Sequence, residues 1–142
     1  MLSVVKPKLM ITSAEEFIRL RNSDIKEEQV RADRDSADAL TWIEVINRFP
    51  EYKTWVIHNK TVPTEILEML AKDDDAGVRS EVARKRKIND KIFDILAVDK
   101  DETVRHALIC NTKLAKEKKM MIDTSTSEWL AKALRDQMAQ AD

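Results

Sequence analysis

The chain of 142 residues has only one glycine, three prolines and one cysteine. Frequent β-turns need glycine and proline, so their scarcity argues against an all-β fold. The single cysteine, Cys110, has no partner for an internal disulfide and cannot supply a thiolate zinc site, which fits a reducing compartment. We therefore expect Cys110 to be a small hydrophobic residue in the core or at its boundary.

Long apolar runs and an excess of one charge are missing as well. No stretch approaches the roughly 20 apolar residues that a membrane-spanning helix needs. The start, from Met1 to Ile11, is too short and too charged for a secretory signal, and we expect a cytoplasmic protein. Lysine and arginine total 25 against 26 acidic residues, so the basic bias of many nucleic-acid binders is absent. Electrostatic recognition would therefore depend on a local patch.

Helix-forming residues are abundant, and the hydrophobic content of 43% is enough for one core. These features predict a single all-α domain over residues 1–142. Two capping boxes, Ser13 to Glu16 and Ser125 to Glu128, predict helix starts near the two ends of the chain.

A repeat is the strongest pattern in the sequence. The segment from Leu70 to Arg79 returns from Leu96 to Arg105, which is an offset of 26 residues. Apolar spacings of three and four within each unit predict two short helices joined by a tight turn. In the first unit Asn59 suits a left-handed helix end and Pro63 suits a first helical turn. One such hairpin cannot bury its apolar face alone, so successive units are expected to stack.

These repeated residues, from Pro50 to Lys116, resemble the leucine-rich repeat variant family and, more loosely, HEAT-type repeats. The resemblance implies a short right-handed α-solenoid of 26-residue helical repeats that binds macromolecules. On this interpretation residues 1–49 form an N-terminal helical cap, residues 50–116 form the repeats, and residues 117–142 form a C-terminal capping helix.

The clearest charged motif is the run Arg84, Lys85, Arg86 and Lys87. With Lys60 and Lys113, at near-equivalent repeat positions, it predicts a basic stripe that binds phosphates or an acidic protein. Cations at a helix end also offset the negative end of the helix dipole, and we favour this structural interpretation.

Aspartates cluster twice, at Asp73 to Asp75 and at Asp99 to Asp101. Neither run has the glycine and glutamate positions of an EF-hand loop, so no metal site is predicted. We expect Asp75 and Asp101 to cap helices, and we expect Arg79 and Arg105 to pair with aspartates of a neighbouring repeat.

Catalytic motifs are absent from the sequence, and we predict neither an enzyme nor a cofactor. Cys110 follows His106 by four residues, which puts both on one helical face, but such a pair alone is weak evidence for a nucleophile.

Among the aromatic residues, Trp55 stands in a repeat column that also holds Glu81 and Ala107. It is either an interface anchor or, as we favour, a cover for the junction with the N-terminal cap. Trp42 and Trp129 lie on apolar stripes and are expected in the core.

Two functions follow from this pattern. The first is a non-catalytic protein-binding module, an adaptor or an inhibitor of the immunity or antitoxin type, by analogy of architecture. The alternative is a HEAT-like protein that binds nucleic acid through the basic stripe. The candidate partner-binding residues are Trp55, His58, Lys60, Arg84, Lys85, Arg86, Lys87 and Lys113.

Overall fold

The computed structural model describes residues 10–140, and this part of the chain is mostly helical. The predicted all-α class is therefore confirmed. Residues 1–9, which make up most of the segment that we interpret as too charged for a secretory signal, lie outside the described range. So do the last two residues of the predicted capping region. The chain divides into two compact units at Ile66 and Leu67.

The first unit contains four α-helices and a short 3-10 turn within its described part. The helices are α1 (Ala14–Asn22), α2 (Lys26–Arg34), α3 (Ala39–Arg48) and α4 (Lys53–His58), with the 3-10 turn Pro50–Tyr52 before α4. Two-residue strands, β1 (Met10–Ile11) and β2 (Ser36–Ala37), pair in parallel. Sequence periodicity did not predict these strands, because two residues are too few to show an alternating pattern.

The core of this unit forms around α1 and α3. Phe17 and Trp42 are fully buried and meet edge to face, with ring centroids 5.1 Å apart. The prediction that Trp42 is a core residue is confirmed. The predicted start of α1 is also confirmed, since the Ser13 hydroxyl accepts from the Glu16 amide at 3.0 Å.

The division between the two units falls within α5 (Thr64–Leu70). The second unit then continues with α6 (Ala76–Ala83), α7 (Asp90–Ala97), α8 (Glu102–Ile109), α9 (Lys116–Lys119) and α10 (Glu128–Ala139). Helices α6, α8 and α10 begin 26 residues apart, and so do α7 and α9. Helix α8 contacts both α6 and α10. Val82, Leu96 and Leu108 are fully buried in this unit.

Asparagine side chains tie helix ends together in both units. In the first unit, the buried Asn59 amide donates to the Ala32 and Asp35 carbonyls, each at 2.9 Å. In the second unit, Asn111, which lies two 26-residue periods later, donates to the Ala83 and Lys85 carbonyls at 2.8 and 2.7 Å. The prediction of a left-handed Asn59 is wrong, since its φ is −63°. Its side chain satisfies the free carbonyls of a helix end instead.

Aspartates and arginines in the second unit have the predicted structural roles. Asp75 and Asp101 cap α6 and α8 by accepting from the amides of Gly77 and Thr103. The carboxylate of Asp99 accepts from Arg79 Nε at 2.7 Å, and both side chains are almost completely buried. The predicted Asp–Arg pairing is therefore confirmed for Arg79, whereas Arg105 lies 3.6 Å from the exposed carboxylate of Asp123.

The serine that caps α10 differs from the prediction. Ser127, not Ser125, accepts from the Leu130 amide, at 3.3 Å. The Ser125 hydroxyl donates to Asp123 Oδ1 at 2.6 Å, which engages it away from the helix. The capping-box pattern identified the helix but placed its cap two residues too early.

No helix within residues 10–140 combines the length and the apolar character that crossing a bilayer requires.

We expect Leu96→Ala to lower the free energy of unfolding by roughly 2–5 kcal/mol, because it leaves a cavity where a fully buried side chain stood. Val98→Ala is the matched control, since Val98 is 76% exposed and lies two residues away. Urea denaturation of both variants measures the difference. Equal midpoints for the two variants would contradict the assignment of α7 to the core.

Asp99→Asn should lower the free energy of unfolding by roughly 3–5 kcal/mol, because it leaves the buried Arg79 guanidinium without its counter-charge. Glu81→Gln removes the carboxylate of a more exposed ion pair, in which Arg84 and Glu81 are 3.1 Å apart. It should lower the free energy of unfolding by under about 1 kcal/mol. Thermal denaturation by circular dichroism compares the two variants. Similar losses would show that the Asp99 pair is not a principal support of this unit.

Candidate binding groove

The basic motif follows the end of α6, and its four side chains differ in exposure. Arg84, Arg86 and Lys87 are exposed, whereas Lys85 is half-buried. Burial lowers the pKa of the Lys85 ammonium group. Lys85 stands one 26-residue period from Asn59 and from Asn111, so it occupies the position at which those residues bind a helix end. Its burial separates it from the surface that the other three cations form.

A cavity of about 360 Å³ lies beside this motif. Two arginines after α6, two residues of α8, the C-cap of α8 and the loop that follows it line this cavity: Arg84, Arg86, His106, Ala107, Cys110, Asn111, Thr112 and Lys113. Three of these side chains are cationic, and none carries a carboxylate. The cavity therefore favours a ligand with negative charge.

His106 and Cys110 lie on one face of α8, as their spacing predicts. Cys110 Sγ lies 3.8 Å from His106 Nδ1. The His106 ring stacks on Trp129 of α10, with centroids 3.9 Å apart and an angle of 3° between the planes. Trp129 is half exposed and Cys110 is exposed. The predictions that Trp129 lies in the core and that Cys110 lies in the core or at its boundary are therefore wrong.

A second cavity, of about 320 Å³, also has His106 and Cys110 in its lining. Its lining consists of His106, Cys110, Trp129, Lys132, Ala133, Asp136, Gln137 and Gln140. Because both cavities share His106 and Cys110, we name the two together the α8 groove. One half of the groove is cationic, and the other half contains an exposed aromatic ring.

The electrostatics of His106 follow from this position. Burial lowers its pKa, and the nearby positive charge of Arg84 lowers it further. A lowered pKa favours the neutral imidazole at neutral pH. The positive charge of the groove therefore comes from its arginines and lysines, and His106 contributes a flat ring that supports Trp129.

Charged neighbours of Trp129 on α10 are paired with each other. Lys132 Nζ lies 2.8 Å from Asp136 Oδ2, and Arg135 lies 2.5 Å from Glu128. These four side chains add no net charge to the aromatic half of the groove. Arg84 is paired with Glu81 at 3.1 Å, so Arg86 and Lys113 contribute the net positive charge of the cationic half.

The three candidate residues of the first unit have different surroundings. The Arg21 guanidinium covers the Trp55 ring at 3.6 Å, and the exposed His58 meets that ring edge-on at 5.6 Å. The Lys60 amide donates to the Asp33 carbonyl at 2.7 Å, and its side chain is exposed. Since these residues belong to the first unit, the groove is defined only by residues of the second.

Metal-ligating side chains do not assemble in the described part of the chain: no group of three or more histidines, cysteines or carboxylates there is arranged to hold an ion.

The 26-residue register of the sequence contains a signal that predicts the exposure of Trp129 and Cys110. Trp129 falls in the column of Gly77 and Thr103, and Cys110 falls in the column of His58 and Arg84. Neither column is apolar, so exposure follows from the register. Helical periodicity around Trp129 alone favours the core, because neighbouring Leu130 and Leu134 lie on the same stretch.

Comparison with known proteins finds no match: no protein family, no curated protein and no solved structure is significantly similar to this chain.

We expect Arg84→Ala to raise the pKa of His106, since it removes a positive charge that disfavours the imidazolium. Lys91→Ala, which removes one positive charge from α7, is the control and should leave the pKa of His106 unchanged. Titration of the His106 ring resonances by NMR measures both. A His106 pKa at or above its ordinary value of 6.5 in the unmodified protein would contradict the buried, stacked geometry.

The lowered pKa of His106 also makes the stability of the protein depend on pH. A histidine whose pKa is lower in the folded state than in the unfolded state binds fewer protons when folded. It therefore lowers the free energy of unfolding as the pH falls from about 6.5 towards the folded pKa. His106→Gln should reduce the loss of stability in that window, and chemical denaturation at a series of pH values measures it. An unchanged pH dependence would show that His106 titrates alike in both states.

Proposed function

We propose that this chain is a non-catalytic protein-binding module and that an acidic segment of its partner lies in the α8 groove. The observation that carries the proposal is the cationic cavity lined by Arg84, Arg86 and Lys113 and free of carboxylates, directly beside the exposed Trp129. Charge complementarity of this kind directs association and orients the partner. An exposed tryptophan beside it supplies an apolar anchor.

The His106–Trp129 stack supports an anchoring role. A tryptophan that is already held by a parallel ring loses little conformational freedom when a partner covers it. Tryptophan and arginine are also the residue types that most often dominate the energetics of protein interfaces. The groove thus combines a preorganised anchor with peripheral charges.

We further propose that the helices belong to a short right-handed α-solenoid of 26-residue repeats, similar to leucine-rich repeat variant and HEAT-type proteins. The equal spacing of the starts of α6, α8 and α10 supports this proposal, as do the matching roles of Asn59 and Asn111. In such an architecture the first helices of successive repeats share one face, which makes an extended binding surface.

A nucleic-acid-binding function is the second candidate, and a specific observation favours it. Proteins that bind single strands combine a cationic groove with aromatic rings on which bases stack, and the α8 groove contains both features. The ion pairs of α10 count against it, because they leave no net positive charge around the ring on which a base would stack. The balanced charge of the whole chain also favours the protein partner.

Affinity capture from the native host, with and without nuclease, tests the first proposal. The bait is the full chain, compared with Trp129→Ala and with the triple variant Arg84→Ala, Arg86→Ala and Lys113→Ala. We expect one protein to be retained after nuclease treatment. Trp129→Ala should weaken the binding free energy of the purified complex between this protein and the chain by about 2 kcal/mol or more. The triple variant should mainly slow association, and added salt should have the same effect.

Gel-shift titration with random single- and double-stranded DNA and RNA at two salt concentrations decides between the two candidates. Micromolar binding, with a slope of log affinity against log salt that falls by about 0.7 to 0.9 for each cation removed, would replace the protein proposal with the nucleic-acid one. Trp55→Ala is the matched aromatic control, because the Trp55 ring lies in the first unit under Arg21. Equal losses for Trp55→Ala and Trp129→Ala would contradict the assignment of the anchor to the α8 groove.

A further inference from the structure

Arg79 and Arg105 occupy the same position in α6 and α8, and both are almost fully buried. Every nitrogen of the Arg79 guanidinium has a partner. Nε and Nη2 donate to the two carboxylate oxygens of Asp99 at 2.7 and 3.2 Å, and Nη1 donates to the Asp73 and Asp74 carbonyls. This arrangement is what a buried cation requires, because a bidentate carboxylate supplies both charge and hydrogen bonds.

Arg105 lacks this carboxylate. The residue that stands 26 positions after Asp99 is Ser125. Arg105 Nη1 donates to the Asp123 carbonyl at 2.8 Å, and Nη2 donates to the Thr126 hydroxyl at 3.1 Å. Its Nε has no hydrogen-bond partner within residues 10–140.

The nearest carboxylate to Arg105 is a poor substitute. Asp123 Oδ2 lies 3.6 Å from Nη1, and its side chain is 52% exposed, against 7% for Asp99. A buried guanidinium with one unsatisfied nitrogen and a distant, hydrated counter-charge is costly. The structure therefore leaves Arg105 with unused capacity for an anion.

The loop that faces Arg105, residues 123–127, leads directly into α10. This helix has 12 residues, and its N-terminus contributes free amides and the positive end of its dipole. Ser125 and Thr126 are exposed residues of this loop, and their hydroxyl groups bond to Asp123 and to Arg105 and Glu102, respectively. The loop thus lies between a buried cation and the N-terminus of a helix.

We propose that Arg105 and this loop form a phosphoryl-binding site, in which phosphate oxygens take the place that the Asp99 carboxylate has against Arg79. A phosphoryl group suits the site because it offers several acceptor oxygens to the Nε and Nη atoms of one guanidinium. The group is either a free phosphate ion or a phosphoryl group on Ser125. The site is separate from the α8 groove and does not depend on the function proposed for it.

In the covalent case Ser125 Oγ attacks the γ-phosphorus of ATP bound to a separate protein kinase. The Oγ–P bond forms, the P–O bond to the leaving ADP breaks, and the hydroxyl proton passes to a base of the kinase. The product places two negative charges at the start of α10.

Two carboxylates compete with the anion for this loop. Asp123 accepts from Ser125, and its exposure lets it turn towards solvent. Glu102 accepts from the Thr126 hydroxyl at 3.0 Å. Glu102→Gln, which keeps this hydrogen bond and removes the charge, should therefore strengthen phosphoryl binding.

Thermal denaturation of the full chain provides the first test. Ser125→Asp supplies the carboxylate that Arg105 lacks and should melt about 4 °C above Ser125→Asn, which has the same shape without the charge. Thr124→Asp is the control for the helix dipole, since it adds the same charge one residue away, and it should raise the melting temperature less. Equal effects of Ser125→Asp and Thr124→Asp would overturn the proposed contact with Arg105.

The source of the phosphoryl group is distinguished with two probes. One is inorganic phosphate, compared with chloride at equal ionic strength, and the other is the chain with phosphoserine incorporated at position 125. A rise in melting temperature with phosphate that Ser125→Asp abolishes identifies a free ion, and a rise in the phosphoserine protein alone identifies the covalent form. In either case the NMR resonance of the Arg105 Nε–H group should shift. The proposal fails if neither probe raises the melting temperature, or if the temperature rises while that resonance stays in place.

Discussion

The geometry of the second unit depends on the hydrogen bonds that the buried Asn111 amide makes to the Ala83 and Lys85 carbonyls. Helix α6 ends at Ala83 with carbonyls that have no partner within the helix, and an unsatisfied buried carbonyl would be costly. Asn111 satisfies them from the end of α8 and so holds the ends of the two helices together. The two arginines that follow α6 are thereby placed beside His106 and Cys110.

This constraint explains why the groove lies where it does. Arg84 and Arg86 flank Lys85, whose carbonyl Asn111 binds, and both arginines line the cavity that Asn111 also lines. The half-buried Lys85 takes the intervening position. Of the four cations in this run, Arg84 and Arg86 line the cavity with Lys113, whereas Lys85 is half-buried and Lys87 is exposed outside the lining.

Charged residues elsewhere in this unit stabilise the fold. Asp99 and Arg79 form a buried pair, and Asp75 and Asp101 cap α6 and α8. Where the pattern is incomplete, at Arg105 and Ser125, a buried cation is left with a free hydrogen-bond donor among the residues that the structure describes. Repetition in the sequence makes this difference visible, because each position has an equivalent 26 residues away.

The sequence by itself determined the helical class, the helix spacing of 26 residues in the second unit, the caps at Asp75 and Asp101, and the pairing of Arg79 with an aspartate. These features follow from local propensity and from residues that recur at a fixed interval, both of which can be read along one chain. Tertiary structure alone decided that Asn59 and Asn111 bind helix ends and that His106 stacks on Trp129. The reason is physical: these contacts depend on which faces of separate helices meet, and helical periodicity does not specify that meeting.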